Sequence, residues 1–435
     1  MIVSLSEPGT GIVVASRTAS ALALVLVLAG CGGRSLPPGA SAEARAAFEE
    51  CRSLQHDEKQ ACYERHLLNE LDRAGVGPAL EMLETVAVGD LSVEAQGHVY
   101  THAIGIEAYS PETPFEEVFS ECTVLFQSGC YHGVVQSHFI ASGAADAEQV
   151  VELCGPFERE PVDRWILFQC LHGLGHGLTM YYAHHLPMAL EGCDFLTNDW
   201  NRQSCYGGVF MENVVNATDP HHPASELLLG EGDGEGEGGG EGEAGHGAHD
   251  HAAMAMTEGV EALEPWEALR ADDPHYPCSV LDEQYLNACY MMQTSAMLWH
   301  NEGDIGGAAT SCLDAPEGWR ELCFVSLGRD VSGRTVLDPD EGLDECGKSP
   351  EEFREWCYVG LVKNYVDVTA TTGAAFAFCR RVEPWAQVRC YEAVGEQLLG
   401  LYADESGRRE ECIAAAPESE ELEQSCLRGA RLPID

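Results

Sequence analysis

Residues 346–379 read CGKSPEEFREWCYVGLVKNYVDVTATTGAAFAFC. This stretch holds one complete structural unit. Ser349-Pro350-Glu351-Glu352 predicts a helix start, with Ser349 as N-cap, Pro350 at the first helical position and acids in the first turn. Phe353, Trp356, Cys357, Gly360, Leu361 and Tyr365 then recur at helical spacing. Thr371-Thr372-Gly373 breaks the chain, a short second helix ends at Cys379, and Pro384 opens the next unit. A bond from Cys346 to Cys357 staples the end of a short helix to the middle of the following long one.

The same staple is expected in every unit. Of 19 cysteines, all but Cys31 sort by spacing into nine pairs. Cys51 pairs with Cys62, Cys122 with Cys130, Cys154 with Cys170, and Cys193 with Cys205. Further on, Cys278 pairs with Cys289, Cys312 with Cys323, Cys346 with Cys357, Cys379 with Cys390, and Cys412 with Cys426. The second cysteine is usually followed by an aromatic residue or Leu, as in Cys130-Tyr131, Cys170-Leu171, Cys289-Tyr290 and Cys390-Tyr391. Second cysteines at 289, 323, 357, 390 and 426 lie 34, 34, 33 and 36 residues apart. Such periods mean stacked helical hairpins. Alternating β-branched runs are nearly absent, so the chain is expected to be all-α. Closing a loop of about twelve residues stabilises by roughly 3 kcal/mol in the chain-entropy model, which offsets part of the ordering cost of thin units. Nine regular pairs also imply an oxidising compartment. Between Cys62 and Cys130 there is room for one further unit, centred near Gln96, without a staple.

In period and hairpin layout the chain resembles tetratricopeptide-like repeats, of which disulfide-stapled versions occur in secreted bacterial proteins. The resemblance implies α-helical hairpin repeats, either an open solenoid or an α/α toroid closed on itself. The full tetratricopeptide consensus is missing.

The N-terminus has its own signature. Residues 20–30 form a short apolar run ending in Leu28-Ala29-Gly30-Cys31. This resembles a bacterial lipobox, which implies a signal peptide over 1–30 and a diacylglycerol anchor on Cys31, the one unpaired cysteine. An ordinary secretory signal is the alternative. Residues 31–41 read as a flexible tether. Residues 42–218 form an N-terminal His-rich block, and 274–435 a C-terminal block. Between them, 219–273 read as a disordered insertion, Gly- and Glu-rich from Gly230 to Ala244.

The net charge is -48, with only three lysines, Lys59, Lys348 and Lys363. Such a surface repels nucleic acid and anionic lipid and attracts cations, and it also fits a general solubility or salt adaptation. The expected site is the cell envelope, attached to the membrane through the lipid.

Histidine separates the two blocks. Three consecutive units read Gly97-His98-Val99-Tyr100-Thr101-His102, Cys130-Tyr131-His132-Gly133-Val134-Val135-Gln136, and Cys170-Leu171-His172-Gly173-Leu174-Gly175-His176. Counted from the second cysteine, or from Gln96 in the unstapled unit, His98, His132 and His172 stand at position +2. His102, Gln136 and His176 stand at +6. These positions are one helical turn apart and share a face. Stacking would then assemble five imidazoles and one amide, with Met211 and Glu212 on the next helix nearby. Neutral imidazole is the commonest protein ligand for zinc, copper, iron and nickel. The pairs His98/His102 and His172/His176 can complete one four-nitrogen site or leave room for two metals. Hydrogen-bonded packing between repeats is the competing reading. No C-terminal unit has His at +2.

A second group, His246, His249 and His251, follows the acidic run and precedes Met254 and Met256; His221 and His222 stand before it. It reads as a low-affinity metal scavenger or as a solvated linker. His184-His185 reads as a helix C-cap pair or as outer ligands. Cys170-Leu171-His172-Gly173 and Ser204-Cys205-Tyr206-Gly207 are similar to the zinc-binding turns of lanthionine-cyclase-like toroids. There the cysteines bind metal, and here they are paired, so that role does not transfer. Nucleophile elbow, phosphate loop, HExxH, haem-attachment and EF-hand motifs are all missing. Three functions stay open: a transition-metal-binding lipoprotein; a metal-dependent hydrolase or oxidase with Glu212 as base; and a non-catalytic scaffold for a protein or glycan partner.

Overall fold

The computed structural model describes residues 34–143, 145–159, 162–218 and 266–434. Among these the regular structure is helical throughout, with no strand. In chain order the helices are α1 (Ala42–Cys51), α2 (His56–Ala74), α3 (Val76–Gly89), α4 (Leu91–Ala95), α5 (Gly97–Ala108), α6 (Phe115–Glu121), α7 (Leu125–Ser142), α8 (Ala147–Leu153), α9 (Arg164–Tyr181), α10 (Leu186–Asp194) and α11 (Asp199–Thr218). After residue 265 come α12 (Glu283–Tyr290), α13 (Gln293–His300), α14 (Ile305–Leu313), α15 (Arg320–Thr335), α16 (Pro339–Cys346), α17 (Glu351–Thr369), α18 (Gly373–Cys379), α19 (Pro384–Leu401), α20 (Glu405–Ala415) and α21 (Glu420–Gly429).

Acidic residues begin several of these helices. Asp163, Asp338 and Asp404 are N-caps of α9, α16 and α20, each accepting from backbone N–H groups of the first turn. A carboxylate there satisfies orphan donors and meets the positive end of the helix dipole. In α17 the helix starts one residue later than expected. Pro350, at ψ 142°, takes the cap position and Glu351 is the first helical residue.

All nine disulfides join the cysteines that spacing pairs, with Cα–Cα distances of 5.5–5.8 Å. Most follow the expected layout. Cys379 closes α18 and is bonded to Cys390 inside α19, and Cys312 near the end of α14 is bonded to Cys323 inside α15. The bond from Cys278 to Cys289 departs from it. Cys278 lies in a run of turns rather than at a helix end, and Cys289 stands one residue before the end of α12. The expected long helix is broken there at Met291 and Met292 and resumes as α13. Gln293, buried at the restart, donates to the carbonyls of Pro274 and Tyr276 at 2.8 and 2.9 Å. This ties the break to the turns around Cys278.

The aromatics after the second cysteines are buried, and several tyrosines among them reach a turn of their own unit or of the next. Tyr131 donates to the Cys122 carbonyl at 2.8 Å, and Tyr358 to Glu383 at 2.9 Å. No described helix is long and apolar enough to cross a membrane. So many disulfides indicate an oxidising, extracytoplasmic setting.

Glycine sets how closely the long helices approach. A Cβ on Gly133, Gly208, Gly360 or Gly429 would lie 1.8–2.1 Å from the carbonyl oxygen of His102, His172, Val325 or Glu392, respectively. Conversely, a Cβ on Gly105, Gly175, Gly328 or Gly395 would lie 1.9–2.1 Å from the carbonyl of Cys130, Cys205, Cys357 or Cys426. Backbones therefore touch within four pairs: α5/α7, α9/α11, α15/α17 and α19/α21. In the last three pairs the glycines stand at +5 on one helix and +3 on the next. The same rule places the reference residue of α5 at Tyr100, not Gln96. His102 is thus the true equivalent of His132 and His172, and His98 lies one turn earlier.

Junctions between pairs are looser. Against α7, a Cβ on Gly173 would rest 3.3 Å from Val135 and 3.8 Å from the Tyr131 carbonyl. The array also coils, with α17 packed on α7 and α19 on α9. Trp165 of α9 lies beside Gly400 of α19. Two successive contacts, each five long-helix steps apart, describe a winding solenoid.

The chain is packed from Trp266 onward, earlier than the block boundary expected at 274. Trp266 stacks on Tyr276, with ring centroids 5.8 Å apart, and the Ala268 carbonyl accepts from Asn213 at 3.2 Å. Cys31, His221, His222, His246, His249, His251, Met254 and Met256 lie outside the described residues.

Candidate metal centre

The loose α7/α9 junction is where the histidines gather. α5 carries His98 and His102, α7 carries His132 and Gln136, α9 carries His172 and His176, and α11 carries Glu212. Side chains rather than backbone set the α7/α9 spacing, so rings fit between the helices. His102, His132, His176 and Glu212 are each 1–3% exposed. His98 and His172 are half-buried.

One nitrogen each of His132, His172 and His176 lie within 4.8 Å of one another. His172 Nε2 and His176 Nε2 are 3.3 Å apart. Two imidazoles bound 2.0–2.1 Å from one tetrahedral metal have nitrogens about 3.3–3.4 Å apart. The α9 pair is therefore already at ligand spacing. The ring of His132 stacks on His176 with centroids 4.0 Å apart and planes 16° off parallel. The four-histidine set expected from His98, His102, His172 and His176 is not the one brought together. His132 joins the α9 pair, while His98 and His102 stand beside it. The reason is the one-turn shift of α5, which aligns His102 with His132 and moves His98 toward the start of its helix.

Buried partners orient the rings. His176 Nδ1 meets Glu212 Oε2 at 2.8 Å, and Glu212 Oε1 lies 4.0 Å from His184 Nδ1. With its proton on Nδ1, His176 presents the Nε2 lone pair toward His172. A carboxylate behind a histidine is the usual support of a metal ligand. Glu212, expected as a base, is enclosed behind His176 rather than facing an accessible position. His98 Nδ1 meets the Phe126 carbonyl at 2.9 Å. The carbonyl is aimed by a left-handed turn, Phe126–Ser128, with φ of 46–65°.

Burial pushes the His172 ring down to about 4, opposed by a hydrogen bond to the Ser204 backbone, and the positive charge of Arg329 adds to the lowering. The ring is thus neutral, as a ligand must be. Arg329, on α15, was not singled out by sequence. It is anchored by Asp330 at 2.8 Å and Ser295, and it stands at +6, where His176 stands in its own unit. That shared position is the signal that could have found it. The equivalent junction of the C-terminal block, α17/α19, carries Lys363 and Glu396 at +6 as an ion pair, with Arg389 3.0 Å from Glu396.

The chain matches no family model, no curated protein and no solved structure. Its function therefore rests on the geometry of the site. The remaining group of close donor atoms among the described residues, Cys51, Cys62 and His66, has both sulfurs in a disulfide and His66 on Glu50 at 3.0 Å. His184 flanks Glu212 from the turn after α9. His185 caps the N-terminus of α10, accepting from the Met188 N–H at 3.4 Å, instead of closing α9.

The neutral His172 has a consequence for stability. The unfolded ring binds a proton below about pH 6.5, and the folded ring does so only near pH 4. Acidification through that window favours the unfolded chain, by on the order of 2 kcal/mol at pH 5. Metal-free His172→Gln should lose several degrees less in Tm than the parent between pH 7.5 and pH 5. Equal losses in both would show that His172 does not titrate this way.

Proposed function

We propose that the protein is a lipid-anchored, extracytoplasmic helical-repeat protein that binds a transition metal at His132, His172 and His176. The observation that carries this reading is the 3.3 Å separation of His172 Nε2 and His176 Nε2, with Glu212 fixing the tautomer of His176. Nitrogen donors without a thiolate suit zinc, copper, iron or nickel. The lipobox-like Leu28–Cys31 supports attachment to the membrane through a diacylglycerol. The acidic surface raises the local cation concentration, and His246, His249 and His251 would act as a weaker, separate buffer.

A metal-dependent enzyme is the second reading. The half-buried edge of His172 favours it, because three protein ligands leave a position for water or substrate.

Elemental mass spectrometry of the full chain separates these ideas from simple packing. The combined variant His246→Ala, His249→Ala and His251→Ala should keep at least one metal per chain. His172→Ala with His176→Ala should lose it. Retention in the second variant and loss in the first would reduce the helical histidines to packing. Metal in neither the parent nor the first variant would return the protein to a scaffold, whose protein or glycan partner lies elsewhere on the repeats.

A further inference from the structure

The imidazoles form a connected row, and its spacings are not uniform. Ring centroids are 6.3 Å apart for His102–His98, 5.4 Å for His98–His132, 4.0 Å for His132–His176 and 5.0 Å for His176–His172. A ring centroid lies about 3.2 Å from a metal bound at 2.0–2.1 Å, so two imidazoles on one tetrahedral ion have centroids roughly 5 Å apart. Two contacts in the row have that spacing. One is His172–His176, already assigned to the metal. The other is His98–His132, which joins α5 to α7. The short contact between His132 and His176, stacked ring face on ring face, connects the two pairs.

We propose that the protein holds two transition-metal ions side by side, the second between His98 and His132. This rests on the metal reading of the first site and extends it. His98 is prepared in the same way as His176. Its Nδ1 donates to a fixed acceptor, the Phe126 carbonyl, at 2.9 Å, and its Nε2 carries the lone pair. The fixing is structural, because Phe126, Gln127 and Ser128 hold left-handed backbone angles that aim the carbonyl at the ring. His98 and His172 are half-buried, while His132 and His176 between them are buried. Each position therefore pairs a buried ring, His176 or His132, with one at the edge of the site, His172 or His98. His132 lies between the positions and is within reach of either, as its place beside His172 and His176 shows. Two ions held there would supply Lewis acidity to a small oxygen ligand, such as water, hydroxide or a carboxylate.

The test is a stoichiometric titration with Co(II), read by its ligand-field absorption and by elemental analysis. The protein is the full chain carrying His246→Ala, His249→Ala and His251→Ala. Two equivalents are expected. Adding His98→Gln should leave one, with its affinity changed less than about threefold, because the amide can still donate to Phe126. Adding His172→Ala instead should remove the tighter equivalent. One equivalent in the starting protein, or two after His98→Gln, overturns the second position while leaving the first intact. No cobalt in any form overturns both sites.

Discussion

Gly208→Ala is expected to destabilise the protein by on the order of 4 kcal/mol or more and to disrupt the metal centre in the same step. The added Cβ would stand 1.9 Å from the His172 carbonyl oxygen and 3.2 Å from Gly175 Cα. Both are backbone atoms, and a helix backbone yields only by moving the whole helix. α9 would separate from α11, carrying His172 and His176 away from Glu212. Gly360→Ala is the matched control. Its Cβ would stand 1.8 Å from the Val325 carbonyl, in a pair that carries none of the histidines. It should cost similar stability without weakening metal in the fraction that folds. Gly333→Ala is the opposite control, since nothing lies within 4 Å of its Cβ and the position is helical. It should gain about 0.5–1 kcal/mol from helix propensity. Thermal unfolding and metal content of the three variants decide the matter. A Gly208→Ala protein with parental Tm would mean that α9 and α11 do not touch as described.

Glu212→Gln should lower metal affinity about tenfold to a hundredfold while the metal-free chain stays folded. The carboxylate accepts the His176 Nδ1 proton at 2.8 Å in a site 1% exposed. An amide of the same shape removes the charge that makes the ring a stronger ligand. It can also turn its NH2 toward Nδ1, which puts the ring proton on Nε2, the nitrogen the metal needs. Competition against a chelator of known affinity measures the loss. The metal-free variant should melt within a few degrees of the parent or above it, because a buried charge has gone. Unchanged affinity would remove Glu212 from the site and leave its bond to His176 as packing.

Much of the fold was legible because it is local. A disulfide across about twelve residues, the aromatic after its second cysteine and an acidic helix cap all act within one hairpin. Their spacing can be read from the chain without knowing its neighbours. Residues 346–379 show this, with α17 and α18 appearing where periodicity and the Thr371–Gly373 break place them. The pairing of Cys278 with Cys289 was legible in the same way, but the helix break after Cys289 was not, because buried Gln293 reaches carbonyls in a turn nearly twenty residues earlier. The site was legible in composition, since histidines cluster in three adjacent units. It was not legible in register. Without a cysteine in α5 there was no local ruler, and Gln96 was four residues short of Tyr100. That shift decided which histidines meet.

The all-α repeat, its nine staples, the oxidising setting and the presence of histidine on successive long helices follow from the sequence itself, because each rests on spacing within about forty residues. Only the tertiary structure decided the pairing of backbones through glycine, the coil that sets α17 on α7, and the choice of His132 to join His172 and His176. Those depend on how close two helices come and how they are rotated. Contacts between carbonyls and missing side chains govern both, and they become visible only when the helices are placed side by side.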